Sequence, residues 1–215
     1  MALILFDTFV REHTHVSAPT LCPEILLHLS DDLDEVWVSQ ELWLKRCGLP
    51  PPFWAVAWVG GQALARYTLD NPSLFHGLSV LDVGSGSGLC AIAAAKAGAA
   101  MVEAYDIDPF SRSIVDINSR LNEVWIKSLQ EDVVGTASRW DVVLAGDVWY
   151  ERFGAPPLTE WLRRIAGQGT AVIVGDCRRA HFPRRGLTQL QQYDVPSPLS
   201  LERNAVTPTG VWRIQ

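Results

Sequence analysis

The sequence lacks an excess of positive charge. Its 18 lysines and arginines are outnumbered by 24 aspartates and glutamates, for a formal net charge of −6 at pH 7. A nucleic-acid partner usually demands a basic patch, so none is expected. The basic residues that do cluster, Arg178-Arg179 and Arg184-Arg185, are few and lie near acids, which reads as a solvated surface. Cysteine is scarce too. Cys22, Cys47, Cys90 and Cys177 stand alone, in none of the spacings that mark a zinc site or a redox pair. No metal is therefore expected, and a reduced, intracellular compartment is. No apolar run approaches membrane-spanning length. Residues 1–10 are apolar but carry Asp7 and no basic leader, so neither a signal peptide nor an arginine-rich transit peptide is read there. Internal repeats and low-complexity tracts are absent.

What is present is a chain of 215 residues, 48% of them apolar, enough for one domain with a sizeable core. Its character changes at Pro50-Pro51-Pro52, which divides a small N-terminal extension (1–50) from the main domain (51–215). In the extension, 24–29 and 35–38 fit either strands or helix turns. Beyond the prolines, 54–69 reads as a helix entered through aromatics, with Ala63, Leu64 and Tyr67 on one face. From Ser79 strands and helices alternate. Strands are expected at 79–83, 101–107, 124–129, 140–145 and 170–174. Helices are expected at 89–97, from Pro109 onward and at 157–166. Such alternation implies an α/β fold with a parallel sheet covered on both faces. The last two strand-like stretches, 188–195 and 209–214, have only a loop between them. They imply a C-terminal hairpin that places one antiparallel strand at the sheet's edge.

A glycine-rich turn after the first strand of such a sheet marks a nucleotide-type site. Here it is Val80-Leu81-Asp82-Val83-Gly84-Ser85-Gly86-Ser87-Gly88. The dinucleotide fingerprint requires glycine or alanine at position 89, where the chain has Leu89, and no lysine follows as a phosphate loop requires. Asp82 would also repel a diphosphate. S-adenosylmethionine has no phosphate and carries two positive centres, which an acidic loop suits. Asp106, ending the second strand, is placed to accept hydrogen bonds from both ribose hydroxyls. Asp108 precedes Pro109 and reads as the cap of the next helix. Of the two acids after the third strand, Glu131 and Asp132, the latter is chosen for the adenine amino group, against plain loop solvation.

The segments 81–88 and Tyr105-Asp106-Ile107-Asp108-Pro109 resemble the Rossmann-like seven-strand S-adenosylmethionine-dependent methyltransferases, mostly parallel with an antiparallel C-terminal hairpin strand. Two further segments are similar to a narrower family. These are Pro51-Pro52-Phe53-Trp54-Ala55-Val56-Ala57-Trp58-Val59-Gly60-Gly61-Gln62 and Trp140-Asp141-Val142-Val143-Leu144-Ala145-Gly146-Asp147-Val148-Trp149-Tyr150-Glu151. They look like the lysine methyltransferases of the electron transfer flavoprotein β subunit, as do Thr209-Gly210-Val211-Trp212 and the stretches 9–14 and 20–25. The Asn-Pro-Pro-Tyr motif of amide and nucleobase methyltransferases is replaced by Gly146-Asp147-Val148-Trp149-Tyr150.

The resemblance implies transfer of methyl groups from S-adenosylmethionine to lysines of that subunit. Without a mitochondrial leader it implies a bacterial form working in the cytoplasm. It places Asp82, Gly84, Ser85, Gly86, Gly88, Asp106, Ile107 and Asp132 at the cofactor. Asp147 would hold and orient the lysine, being a poor general base unless its pKa is raised. Trp149 and Tyr150 are expected to wall the lysine channel, against a reading as core aromatics. Trp54 and Trp58 are expected to face the sulfonium, against simple packing of the N-terminal lid. Gln62 is expected at the cofactor's carboxylate, against solvation. The alternatives are a ribosomal-protein lysine or small amine as substrate, or a non-catalytic cofactor-binding module.

Overall fold

The computed structural model describes residues 2–44, 51–129, 132–196 and 205–215. The junction at Pro50, together with Cys47 and Glu131, lies outside them. In the extension, helix α1 (Ala2–His13) is followed by the short strands β1 (His15–Ser17) and β2 (Leu27–Leu29), an antiparallel pair, and by α2 (Leu33–Leu44). The main part runs α3 (Val59–Asp70), β3 (Ser79–Val83), α4 (Leu89–Lys96), β4 (Met101–Tyr105), α5 (Pro109–Leu121), β5 (Lys127–Leu129), β6 (Val142–Gly146), α6 (Ala155–Gly167), β7 (Ala171–Asp176), β8 (Leu187–Pro196) and β9 (Val206–Ile214).

The large sheet has seven strands in the order β5-β4-β3-β6-β7-β9-β8. Every neighbouring pair from β5 to β7 is parallel, and β9 is antiparallel to both β7 and β8. The expected hairpin and its single reversed strand are therefore present. Strand order reverses between β3 and β6, and the crevice at the carboxyl edge of that switch point is where open α/β sheets bind ligands.

Side chains alternate across the sheet. Val80, Val102, Val142, Leu144 and Ile173 pack beneath α3 and α4, while Leu81, Val83, Val143, Val172 and Val174 pack beneath α6. Helix α4 is built of small residues and is buried from Leu89 to Ala94, which lets it lie close to the strands. In α5, Pro109 sits at the first turn and the Asp108 carboxylate accepts the Phe110 amide at 2.9 Å, the expected cap. At the opposite edge Glu103, buried on β4, accepts hydrogen bonds from Lys127 Nζ (2.8 Å), Arg139 Nη2 (2.7 Å) and Trp140 Nε1 (2.7 Å). Burial alone would raise its pKa; these partners hold it below the ordinary range.

The extension is a third packed unit. Phe6, Phe9 and Val10 of α1 and Leu33 and Val36 of α2 close over Trp54 and over Ile114 and Ile117 of α5. Polar ties reinforce this packing. Asn118 Oδ1 accepts the His28 amide (3.0 Å) while its Nδ2 donates to the Ser87 carbonyl of the glycine loop (2.9 Å). Asn122 binds both backbone groups of Leu26. Helix α3 begins five residues later than the aromatic pattern suggests, because Phe53–Ala55 forms a separate 3-10 turn and Trp58 is extended.

At its first turn helix α3 meets the sheet backbone to backbone, through Gly60 against Gly175 and Gly61 against Gly146. Near Gly60 it reaches the end of β7, and Asp70 at its other end accepts the Tyr193 hydroxyl of β8 at 3.1 Å. A Cβ built on Gly175 would fall 2.1 Å from the Gly60 carbonyl oxygen, and one on Gly60 would fall 2.4 Å from the Gly175 carbonyl oxygen. Both obstacles are backbone, so a methyl group cannot be absorbed by a rotamer change. Gly175→Ala should therefore lower stability by about 2–3 kcal/mol, read as a drop in the urea midpoint. A variant as stable as the parent would show that the helix can retreat from the sheet.

Candidate active site

The glycine loop leaves β3 and is tethered to its neighbour: the Gly84 and Ser85 amides donate to the Tyr105 carbonyl at 2.8 and 3.1 Å. Gly84, Gly86 and Gly88 all adopt positive φ (69°, 48° and 83°), which a side chain resists. A Cβ on Gly86 would meet no protein atom within 4 Å, so this backbone faces open space. Asp106 lies beside it. One carboxylate oxygen accepts the Gly86 amide at 2.7 Å and the other the Asp108 amide at 2.9 Å. Burial raises its pKa. The Ile107 amide and the Ser111 side chain also hydrogen-bond to this carboxylate. Asp82 is buried behind the loop and accepts the Ala91 amide in the first turn of α4 at 3.0 Å. Burial, with Asp106 nearby, pushes it up to about 7.

Across the switch point, Asp147 ends β6. Its backbone is left-handed, with φ 55°, an unusual state for a residue with a side chain. The turn aims its carboxylate at the start of α3. One oxygen accepts the amides of Gly60 and Gly61, and the other accepts Arg179 Nε at 2.6 Å. The carboxylate thus occupies the positive end of the helix and pairs with a guanidinium. Burial still raises its pKa despite these partners. Sequence reasoning placed Asp147 correctly at the edge but missed Arg179, Gly60 and Gly61 as its partners. A legible signal existed: an arginine three residues after Asp176, at the end of the neighbouring strand.

An aromatic group stands next to this anchor. Phe53 packs edge-on against both Trp58 (centroids 5.7 Å apart) and Tyr150 (5.3 Å). The Trp58 indole N–H donates to the Phe53 carbonyl at 3.0 Å, and the Arg179 guanidinium lies 5.4 Å from its ring centre. Tyr150 is half-exposed, and burial together with Asp106, Glu151 and Asp108 pushes its phenol up to about 12. Ile107 is exposed beyond Asp106. Asp132 is exposed; it accepts the Val134 amide at 2.9 Å and hydrogen-bonds Tyr105, whose phenol is pushed up to about 12 by burial and by that bond.

Three expected site residues lie elsewhere. Trp149 is fully buried, donates its indole N–H to Thr159 Oγ1 on α6 at 2.8 Å and packs edge-on against Phe182. It is a core aromatic and walls no channel. Trp54 is fully buried under α1, with Phe6 edge-on at 5.5 Å, so the packing reading holds in place of a sulfonium contact. Gln62 is buried, and its amide is engaged within the protein: it donates to the Ala57 carbonyl at 2.7 Å and accepts the Leu21 amide at 3.3 Å. Its polar ends serve the N-terminal junction rather than a ligand.

The cradle fits S-adenosylmethionine. The open backbone at Gly86 admits a close ligand, Asp106 suits a ribose, and the Ser85 hydroxyl is buried with no partner among the described residues, an unfilled hydrogen-bonding position within the loop.

Comparisons agree with this geometry. The family model for ribosomal protein L11 methyltransferase matches residues 63–147. Among solved structures, magnesium protoporphyrin IX methyltransferase from Synechocystis PCC 6803 with bound SAM shares the fold at a TM-score of 0.54 and 14% identity, over 83% of this chain and 84% of its own. The fold and the site together define a methyltransferase. Across 95% of its length the chain is 37% identical to the electron transfer flavoprotein beta subunit lysine methyltransferase of Danio rerio and 38% identical to that of Mus musculus, covering 81% and 82% of those proteins. The chain belongs to this family.

Asp176, at the end of β7, is buried, and one of its carboxylate oxygens has no partner among the described residues. Burial and the neighbouring Asp147 push it up to about 7. The folded state therefore holds this proton more tightly than the unfolded chain, whose value lies near 3.8. Its contribution to stability is full in acid and is lost as pH rises through 7. Asp176→Asn should gain on the parent by on the order of 2 kcal/mol between pH 5 and pH 8. Thermal melts at both pH values check this; an identical pH slope for parent and variant would refute it.

Proposed function

We propose that this chain transfers methyl groups from S-adenosylmethionine to lysine side chains of the electron transfer flavoprotein β subunit. The observation that supports the chemistry is the juxtaposition at the switch point of the glycine cradle and Asp106 with the aromatic group Phe53, Trp58 and Tyr150. The substrate is taken from relatives of nearly full length that carry it in their names. The partial match to the ribosomal-protein family ends at residue 147, before the segment that carries Tyr150, and so favours the cofactor half more than any substrate.

Bound in the cradle, S-adenosylmethionine supplies an electrophilic methyl group on a sulfonium. Gly86 gives it backbone contact, Asp106 takes the ribose hydroxyls, and Ile107 and Asp132 flank the adenine. Asp82 holds the loop through the Ala91 amide of α4. The lysine enters along Tyr150, Phe53 and Trp58. A free lysine, with pKa about 10.4, is neutral in only roughly a thousandth of molecules near pH 7.4. Aromatic walls strip water from the ammonium and so favour the neutral amine. Tyr150 is held as a phenol and cannot take the proton. Asp147 is already met by two amides and Arg179, so it acts as a positioning residue that fixes α3, Trp58 and the Tyr150 turn relative to one another.

The central test is incubation with labelled S-adenosylmethionine and purified β subunit, with intact-mass analysis. Methyl increments on the subunit are expected. Label on a ribosomal protein or small amine of a whole lysate, and none on the subunit, would replace the substrate; no transfer at all would leave a binding module. For the cofactor site, Asp106→Ala should weaken S-adenosylhomocysteine binding by roughly 10–100-fold, the loss of charge-assisted hydrogen bonds worth about 1.5–3 kcal/mol. Calorimetry reads this directly, and unchanged affinity would remove Asp106 from the ribose.

A further inference from the structure

A groove of about 640 Å³ runs along α6, lined by Arg152, Arg163, Arg184, Arg185 and His181, with Glu160 the single acidic residue in its wall. All five basic side chains belong to exposed residues. Among the described residues none of the four arginines forms an ion pair. Arg163 instead donates to the Arg185 carbonyl at 2.8 Å, which fixes one side of the groove. In a chain of net charge −6 this is a local concentration of unpaired positive charge.

Its Arg152 end adjoins the site. The loop after β6 begins with Asp147 and Tyr150 and continues to Arg152; the loop after β7 begins near Arg179 and continues to Arg184 and Arg185. Trp149 locks the two loops together, binding Thr159 of α6 and packing on Phe182. The groove therefore starts at the turn that carries Tyr150 and runs along α6 to Arg184 and Arg185, which precede β8 at the amino edge of the sheet. Phe153, 87% exposed, stands next to Arg152, and Tyr150 is half-exposed two residues before it. Exposed aromatics beside arginines have the composition of a protein-binding surface.

We propose that this groove docks an acidic segment of the protein substrate, laid along α6 and leading away from the channel that receives the target lysine. The proposal rests on the reading of this chain as a protein-lysine methyltransferase. A few carboxylates pair well with forked guanidiniums, and the groove is short. A nucleic acid would instead carry its repeating charge out of the groove onto a protein surface of net negative charge.

Fluorescence anisotropy with a labelled oligoglutamate peptide tests the docking site without requiring turnover. The parent should bind and weaken as salt is raised. The double variant Arg184→Glu/Arg185→Glu should lose at least about tenfold in affinity, and Arg184→Lys/Arg185→Lys should retain most of it. S-adenosylhomocysteine affinity should stay at the parental value in both, which shows that they fold; should the reversed pair not fold, Arg184→Gln/Arg185→Gln takes its place. With the β subunit as substrate, charge reversal should raise KM at unchanged kcat. No peptide binding by the parent, equal binding by the reversed variant, or tighter binding of a labelled oligouridylate than of oligoglutamate would each overturn the proposal. If the peptide binds as expected but the subunit takes no methyl group, the substrate reading fails and the acidic docking site stands.

Discussion

The buried carboxylate of Asp147 is the interaction on which the rest of the site depends. A lone buried charge is costly, and here it is met on one side by two amides of α3 and on the other by Arg179. Each partner brings a different part of the chain with it. The amides hold the start of α3, and with it Trp58. Arg179 holds the loop after β7, and the left-handed turn at Asp147 sets the direction in which Tyr150 leaves β6. Removing the carboxylate would leave both a guanidinium and a helix terminus facing each other without compensation.

Around this anchor the molecule divides its work between two halves. Strands β3 and β4 with their loops form the cofactor cradle, held from below by Asp82 and from outside by Asn118. The segments that differ in character from a generic cofactor domain are the N-terminal extension, the 3-10 turn at Phe53 and the two loops after β6 and β7. The 3-10 turn and the loops supply the aromatic group Phe53, Trp58 and Tyr150 and much of the arginine groove, while the extension packs over Trp54 and α5. The comparisons divide at the same place: the ribosomal-protein family model stops at Asp147, whereas the relatives of known name extend across nearly the whole chain.

Much of this was legible in the sequence. The strand–helix alternation, the glycine loop, Asp106, the Asp108 cap and the terminal hairpin all follow from local patterns, and each appears within a few residues of its expected place. The extension was legible only in part, because α1 and α2 owe their burial to α5, a hundred residues away in sequence. The aromatic residues were the least legible. Trp54, Trp58 and Trp149 look alike as residue types, yet only Trp58 reaches the site. The other two are claimed by Phe6 and Phe182, neighbours that no spacing rule reveals. Gln62 was misplaced for the same reason: its amide is satisfied by Ala57 and Leu21, both contacts made by the folded junction. Arg179 was hidden inside a pair of arginines that reads as surface charge.

The bare contact between α3 and β7 also limits how this protein can diverge. Gly60 meets Gly175 and Gly146 meets Gly61 backbone to backbone, so no larger residue fits at Gly60, Gly146 or Gly175 without a shift of the helix. Evolution is left without a neutral path through these positions. The arginines and exposed aromatics a few residues farther along the same loops face solvent and carry no such restriction. A lineage can therefore exchange its protein target by altering the rim while inheriting the chemistry unchanged.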